Sequence, residues 1–284
     1  MTSITTARSH RARRRLSRAV LYLLAIVVLA IILIPLAYAV IGGFRTSSQL
    51  VSDPVGLPNP WVITNYIDQL LNTAFWRQIW NSFFIAVVTT LLVLPAASLA
   101  SYAIARYRFR GKEVIYTFFT LGLLFPIAVA VIPLFITLRQ ANLLNNPFGV
   151  ALPQAAFALP LAVVIFRPFF QSIPRDLFES AALDGCGPLR TYWSIVLPLS
   201  RPVLATIAIL AVVASWNAFI LPLLILTEPT QWTLPIGVNN VSAQFSTDYA
   251  VVLAYATLAM IPALAFYFLF QKQIVGGLTA GAVK

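Results

Sequence analysis

The amino-acid sequence predicts an all-α polytopic membrane protein with six transmembrane helices. Of its 284 residues, 60% are hydrophobic and only 10% are charged, whereas soluble proteins are about half apolar and about a quarter charged. Six apolar stretches each approach the roughly 20 residues that a helix needs to cross a bilayer. Lysines and arginines are concentrated in every second segment between these stretches, which is the pattern of cytoplasmic loops.

The chain begins with a basic tail, residues 1–18, which contains six arginines. It has no apolar periodicity, so we expect it to be unstructured and to lie against anionic lipid head groups. The first span is longer than the roughly 7–15-residue apolar region of a signal peptide, which argues against its removal. A turn-rich external loop with one or two short helices should occupy residues 42–79. The predicted spans are about residues 19–41, 81–102, 114–138, 148–166, 203–226 and 249–270.

The distribution of positive charge predicts that both chain termini lie in the cytoplasm. With that orientation, all of the 19 lysines and arginines lie inside except Arg45, Arg77 and Arg139. This bias is the signal that orients membrane proteins. The net charge of +11 therefore follows membrane topology, and we do not expect it to form a nucleic-acid-binding patch.

The polar stretch from Ser172 to Pro202 is predicted to form a helix–turn–helix hairpin on the cytoplasmic side. Pro174 suits the first turn of a helix, and Gly185 suits a left-handed helix stop. The first helix should present one apolar face, formed by Leu177, Phe178, Ala181 and Ala182. The second should present Leu189, Tyr192, Trp193 and Val196 on one side and end before Pro198.

A hairpin with an apolar stripe and no core of its own must lie on another surface. It could lie flat at the lipid interface, or it could be a docking element for another protein. Ala181 and Ala182 favour docking, because small residues let a second backbone approach closely, whereas interfacial helices usually carry bulky anchors.

The hairpin resembles the EAA loop of the permeases of binding-protein-dependent ABC importers. The matching residues are Glu179-Ser180-Ala181-Ala182, Asp184-Gly185, Ile195 and Leu197-Pro198, with Ser180 in place of the first alanine. The resemblance implies a type I ABC importer permease fold in which this loop is a coupling helix that docks on the cytoplasmic ATPase. The docking residues that it implies are Glu179, whose carboxylate would face a basic residue, and Ser180, Ala181, Ala182, Leu183, Asp184 and Gly185.

Further motifs resemble the second, six-span subunit of the maltose-type carbohydrate-uptake permeases and cover most of residues 60–284. They are Asn65-Tyr66, Asn81-Ser82, the segment 103–112, Trp216-Asn217 with Pro222-Leu223, and the tail from Gln271. The implied organisation is a cytoplasmic basic tail (1–18), a six-span permease domain (19–270, coupling loop 172–202) and a cytoplasmic C-terminal tail (271–284). The resemblance also implies that the glycine-rich end, residues 276–284, reaches the ATPase dimer.

The sequence predicts a non-catalytic subunit. It has no phosphate-binding loop, zinc-protease motif or nucleophile elbow, and its single cysteine, Cys186, excludes an internal disulfide and a cysteine-based metal site. We therefore expect no cofactor on this chain, with ATP and Mg on a partner. The resemblance implies these partners in a bacterial cytoplasmic (inner) membrane: a homologous second permease subunit, a dimer of ATP-binding subunits and an extracytoplasmic sugar-binding protein.

Trp216 and Asn217 are the candidate pathway residues, near the middle of the predicted fifth span. Asn217 could bond another helix, which is the commoner role of polar residues in membrane bundles. Alternatively, Asn217 could bind sugar hydroxyls while Trp216 offers a flat apolar face. Gln154, Ser215 and Thr206 are weaker candidates of the same kind. The loop from Thr227 to Asp248 could be solvated or could contact a solute-delivering protein.

Other functions stay open at this stage. An importer for another small polar solute, such as glycerol phosphate, would share these motifs. An ion-coupled secondary carrier is disfavoured, because no Asp, Glu, Lys or Arg lies in the middle of a predicted span and such carriers use intramembrane charges. An assembly or sensor subunit that carries no solute is the third possibility.

Overall fold

The structure, a computed structural model, describes residues 4–245 and 248–280, with side chains described for residues 20–245 and 248–271. Within these ranges every regular element is helical, which confirms the predicted all-α class. The helices are α1 (Ile4–Gly42), α2 (Ser47–Ser52), α3 (Thr64–Leu71), α4 (Thr73–Arg106), α5 (Lys112–Gly122), α6 (Ile127–Gln140), α7 (Pro147–Ser172), α8 (Arg175–Leu183), α9 (Pro188–Thr191), α10 (Leu197–Leu199), α11 (Arg201–Trp216), α12 (Ile220–Ile225), α13 (Leu234–Gln244) and α14 (Tyr249–Ala280).

Four to six segments of the described chain can cross a membrane. Four single helices are long and apolar enough, namely Val20–Gly42, Thr73–Arg106, Pro147–Ser172 and Tyr249–Gln271. Two bent pairs also qualify if each is one span: α5 with α6, bent by 98°, and the α9–α10 segment with α11, bent by 79°. The predicted number of six therefore agrees with the upper limit.

The two ends of the chain are more helical than predicted. Helix α1 begins at Ile4, so the part of the basic tail that is described is helical and continuous with the first span. Alanine and arginine are strong helix formers, and an adjoining span removes the cost of starting a new helix. Helix α14 continues past residue 270 to Ala280, and residues 281–284 of the predicted C-terminal tail lie outside the described residues.

Three predicted span boundaries differ from the observed ones. Helix α4 begins at Thr73 rather than near residue 81, because Asn72 caps it by accepting a hydrogen bond from the Ala74 amide at 2.9 Å. The third span is broken after Gly122, and α6 begins after Pro126. The fifth predicted span is interrupted after Trp216, where α11 ends. Apolar periodicity continues across such breaks, so the sequence pattern does not reveal them.

The chain divides into two compact units. The first comprises residues 1–71 and 241–258, and its loop is held by side chains that bond the backbone after α1. The Asn65 amide donates to the carbonyls of Gly43 (3.0 Å) and Arg45 (2.9 Å). The Tyr66 hydroxyl donates to the Val40 carbonyl at 2.7 Å. The Asn65-Tyr66 motif therefore fixes how the chain leaves the first span.

The second unit comprises residues 72–240 and 259–284 and contains both candidate sites. Helices α4, α7 and α11 form its centre, around a buried apolar cluster that includes Val93, Phe166, Phe170, Tyr192, Val196 and Ile207. The loop after α12 is fastened to this unit, because the Asn81 amide donates to the carbonyls of Thr230 and Trp232, each at 3.0 Å. Asn81 therefore holds the first part of the predicted external loop, Thr227–Asp248, against α4.

Candidate functional site

The first helix of the hairpin ends in a Schellman motif, as the glycine predicted. The Cys186 amide donates to the Ala181 carbonyl at 2.8 Å, and the Gly185 amide donates to the Ala182 carbonyl at 3.1 Å. Gly185 has a φ of +74°, and a Cβ at this position would meet nothing within 4 Å. The position therefore requires glycine for its backbone conformation and not for lack of space.

The second half of the hairpin differs from the predicted short helix. Helix α9 passes into a π-helical turn, Tyr192–Val196, and the chain stays helical through Pro198 to Leu199. The predicted apolar stripe is consequently divided. Tyr192 and Val196 are buried, whereas Leu189 and Trp193 are 67% and 59% exposed. Because a π turn inserts an extra residue, the predicted spacing no longer places these four side chains on one side.

The inward side of the hairpin is fastened to α4 and to the end of α7. Arg106, the last residue of α4, donates from Nη2 to the Ile173 carbonyl, and its Cζ lies 3.7 Å from the centre of the Phe178 ring. The Ser98 and Tyr192 hydroxyls are 2.6 Å apart. Because Ser98 has one proton and donates it to the Leu94 carbonyl at 2.6 Å, Tyr192 is the donor in this pair.

The outward side of the hairpin carries exposed apolar and acidic side chains. Leu183 is 90% exposed, and Glu179 and Asp184 are exposed beside it. Ser180, Ala182 and Gly185 are also exposed. Ala181 is different, because it is only 4% exposed and packs inside the protein. The small-residue argument for close approach of a partner therefore applies to Ala182 and not to Ala181.

The two predicted pathway residues, Trp216 and Asn217, line a groove formed by α4, α11 and α14. Its volume is about 730 Å³. Most of its lining is aromatic and apolar, and it includes Trp76, Trp80, Phe83, Phe266 and Tyr267. Flat aromatic faces with a single amide can stack on the apolar face of a sugar ring and bond one of its hydroxyls. We refer to this feature as the aromatic groove.

Asn217 forms no hydrogen bond to another helix within the described part of the chain. It is the residue that ends α11, and its Nδ2 donates to the Val213 carbonyl of the same helix at 2.9 Å. The preferred interpretation of Asn217 as a link between helices is therefore wrong for this structure. Its Oδ1 accepts no hydrogen bond from the described residues, and the side chain is exposed.

The link between helices is made instead by Gln154, one of the weaker candidates. Its Oε1 accepts from the Ser215 hydroxyl at 2.6 Å and from the Thr89 hydroxyl at 3.2 Å, which connects α7 to α11 and to α4. Among the described residues, the Thr206 hydroxyl donates to its own helix, at the Pro202 carbonyl, and to no other. The sequence marks Gln154 only as a polar residue in an apolar span, and it does not indicate which of several such residues meet.

Comparison with known proteins identifies close similarities over most of the chain. Residues 94–278 match the family described as "Binding-protein-dependent transport system inner membrane component". The diacetylchitobiose uptake system permease of Streptomyces coelicolor is 30% identical, over 98% of this chain and 93% of that protein. The multiple sugar-binding transport system permease of Streptococcus mutans is 33% identical, over 89% of this chain and 92% of that protein.

A solved structure shows the same fold. A chain of a bacterial ABC transporter involved in the import of the acidic polysaccharide alginate superimposes with a TM-score of 0.79. The match covers 91% of this chain and 96% of that chain, with 24% sequence identity. The two chains therefore share a fold over nearly their whole length.

Proposed function

The chain belongs to the family of binding-protein-dependent transport system inner membrane components, and from this premise we propose that it is the transmembrane subunit of an ATP-driven carbohydrate importer. In this role it forms half of the translocation pathway and couples that pathway to a cytoplasmic ATPase. The observation that carries the proposal is the hairpin, whose inward side is fastened to the spans while its outward side exposes Leu183, Leu189 and Trp193.

The outward side of the hairpin is the proposed ATPase-docking surface. It combines a 90% exposed leucine with the carboxylates of Glu179 and Asp184. An exposed apolar patch rimmed by polar groups is typical of a protein interface. The ATPase, present as a dimer, supplies the ATP site and Mg, and this chain holds no cofactor. The hairpin is then cytoplasmic, and so are both chain termini.

The aromatic groove is the proposed substrate pathway. Trp216 offers a ring face, and Asn217 offers an oxygen that accepts no hydrogen bond from the described residues, which suits a neutral, hydroxyl-rich solute. The two relatives named above are permeases of sugar uptake systems, which supports a carbohydrate as the solute. A homologous second permease completes the pathway, and an extracytoplasmic sugar-binding protein delivers the solute.

Coupling in this proposal is mechanical. Closure of the ATPase dimer moves the hairpin. The hairpin moves α4 because the contacts of Arg106 and Tyr192 tie it to that helix, and it moves α7 because α7 runs directly into the hairpin at Ile173. Packed interfaces switch between discrete arrangements rather than deforming continuously. A displacement at the hairpin can therefore open the pathway towards the loaded binding protein.

A cysteine crosslinking experiment tests the docking surface. Cys186 is the single cysteine, so Cys186→Ser provides a cysteine-free chain into which Leu183→Cys is introduced. In native membranes a short thiol crosslinker should join Leu183→Cys to an ATP-binding subunit, in a yield that changes with nucleotide. Ala181→Cys is the matched control, because this neighbouring position is 4% exposed. If Leu183→Cys gives no product with an ATP-binding subunit, the docking proposal is refuted.

A further inference from the structure

A cleft of about 580 Å³ lies between the end of α4 and the inner flank of the hairpin. Arg106 and Arg108 line it from the end of α4 and the residues that follow. Arg175 and Glu179 line it from α8. We call this feature the basic cleft, because its lining contains three guanidinium groups and one carboxylate.

The positive charge of the basic cleft is not neutralised within the described chain. The ion pairs of the described residues are those of Glu113 with Arg167 and with Lys112, and all three residues lie outside the cleft. Arg108 and Arg175 are exposed and donate no hydrogen bond within residues 20–245 and 248–271. Arg106 uses Nη2 on the Ile173 carbonyl, but its Nε is buried without a partner in the described residues.

We propose that the basic cleft binds the phosphate of an anionic phospholipid head group. Guanidinium groups bind phosphate oxygens through paired, charge-assisted hydrogen bonds. Basic pockets beside the cytoplasmic ends of membrane helices are suited to such head groups. The cleft lies where two spans end, α4 at Arg106 and α7 at Ser172, which is the depth of the head-group layer. This placement rests on the cytoplasmic orientation in the proposed function.

A lipid in this position bridges the spans and the hairpin. Arg106 and Arg108 belong to the α4 side of the cleft, and Arg175 belongs to α8. A phosphate shared between them relieves the repulsion of like charges and strengthens the attachment of the hairpin to α4. Anionic lipid should therefore tighten coupling between the hairpin and the spans. Of the proposed docking residues, Glu179 and Ala182 border the cleft.

Native mass spectrometry of the assembled importer tests this proposal directly. The complex is extracted from vesicles of equal parts phosphatidylglycerol and phosphatidylcholine, and retained lipids are counted. We expect one phosphatidylglycerol for this chain, with affinity reduced about thirtyfold by Arg108→Gln with Arg175→Gln. The control, Arg190→Gln with Arg201→Gln, removes the same charge from hairpin residues outside the cleft and should retain the lipid. Equal retention by both variants would overturn the proposal.

A second measurement uses the unaltered chain, because Cys186 lines the same cleft. An uncharged maleimide should label Cys186 several times more slowly in phosphatidylglycerol vesicles than in phosphatidylcholine vesicles. Inorganic phosphate added to phosphatidylcholine vesicles should give no such protection. If inorganic phosphate protects Cys186 as well as the lipid does, the basic cleft binds a soluble anion and the lipid proposal is wrong. Neither readout requires transport. Failure of the lipid proposal would therefore leave the importer proposal standing, and the two failures can be told apart.

Discussion

The hairpin and the aromatic groove belong to the same unit of the chain but are built in opposite ways. The inner side of the hairpin is fixed by directional contacts, namely the Ser98–Tyr192 hydrogen bond and the placement of Arg106 between Ile173 and Phe178. The groove is lined mainly by aromatic and apolar side chains, and the amide of Asn217 bonds no helix but its own within the described residues.

In the proposed function, this difference separates the part that transmits movement from the part that recognises the solute. A part that transmits force must keep its geometry, and directional hydrogen bonds to rigid helices provide that. A part that accepts different orientations of a solute benefits from flat apolar surfaces with few fixed polar groups. Variants of the hairpin should therefore uncouple ATP hydrolysis from uptake. Variants of the groove should change the solute concentration that gives half-maximal uptake.

The largest effect is expected from Gly185→Val. Valine in the left-handed conformation costs about 2 kcal/mol, so the turn should rearrange and uptake by the reconstituted complex should fall about tenfold or more. Membrane insertion should be unchanged. Gly187→Val is the control, since Gly187 has a φ of −69° and open space around its Cβ. Uptake that is normal in Gly185→Val and in its control would contradict a coupling role for this turn.

Trp216→Ala tests the groove. Loss of the ring face should raise the solute concentration for half-maximal uptake about tenfold, equivalent to about 1.4 kcal/mol, with ATP hydrolysis still coupled. The readout is uptake at varied concentrations of the solute that the binding protein delivers. Trp193→Ala, an exposed tryptophan on the hairpin, should leave this concentration unchanged and instead weaken ATPase association. A shared phenotype would mean that the two regions do not have separate roles.

Gln154→Leu tests the link between α4, α7 and α11. Two hydrogen bonds between membrane helices are lost, at roughly 0.6 kcal/mol each, so the free energy of unfolding should fall by about 1 kcal/mol. Titration of the purified chain from mild detergent into denaturing detergent measures this. Thr206→Val removes a hydroxyl that, among the described residues, bonds its own helix alone, and it should change stability less. Equal losses would show that Gln154 does not act through its neighbours.

Tyr192→Phe should have the smallest effect. It removes the proton donated to Ser98 while the ring stays buried, and one such bond contributes about 0.6 kcal/mol. The expected result is a small fall in melting temperature together with more ATP hydrolysis per molecule transported. Tyr22→Phe is the control, because Tyr22 is 69% exposed. A fall in melting temperature without any change in coupling would restrict Tyr192 to a structural role.

The correct predictions come from local chemistry and composition. Apolar length predicted an all-α polytopic protein with six spans, the upper limit that the structure supports. The order of Asp184 and Gly185 predicted a turn that the structure shows as a Schellman motif. The motif around Glu179 predicted the permease family, which the family match confirms. The docking and pathway roles of the named residues remain predictions, which the experiments above address.

The details that the sequence did not predict concern side-chain orientation, helix ends and contacts between distant residues. The sequence could not show that Ala181 faces inward, because residues on a short helix are assigned to inside or outside only by what packs against them. It could not show that α11 ends at Trp216, because the apolar run continues through Pro222. It could not show that Gln154 links three helices, because the two hydroxyls that donate to Gln154 lie 61 and 65 residues away along the chain.

The sequence by itself determined the class of molecule, since hydrophobic length, charge bias and a glycine's φ preference act over about one helix and need no distant partner. Only the tertiary structure decided which side of the hairpin is free, where Arg106 and Tyr192 attach it, and which polar side chains meet within the bundle. Those features depend on contacts between helices that are remote in sequence. In a membrane, the geometry of such contacts follows from close packing rather than from an apolar pattern, because the surrounding lipid is as apolar as the helices themselves.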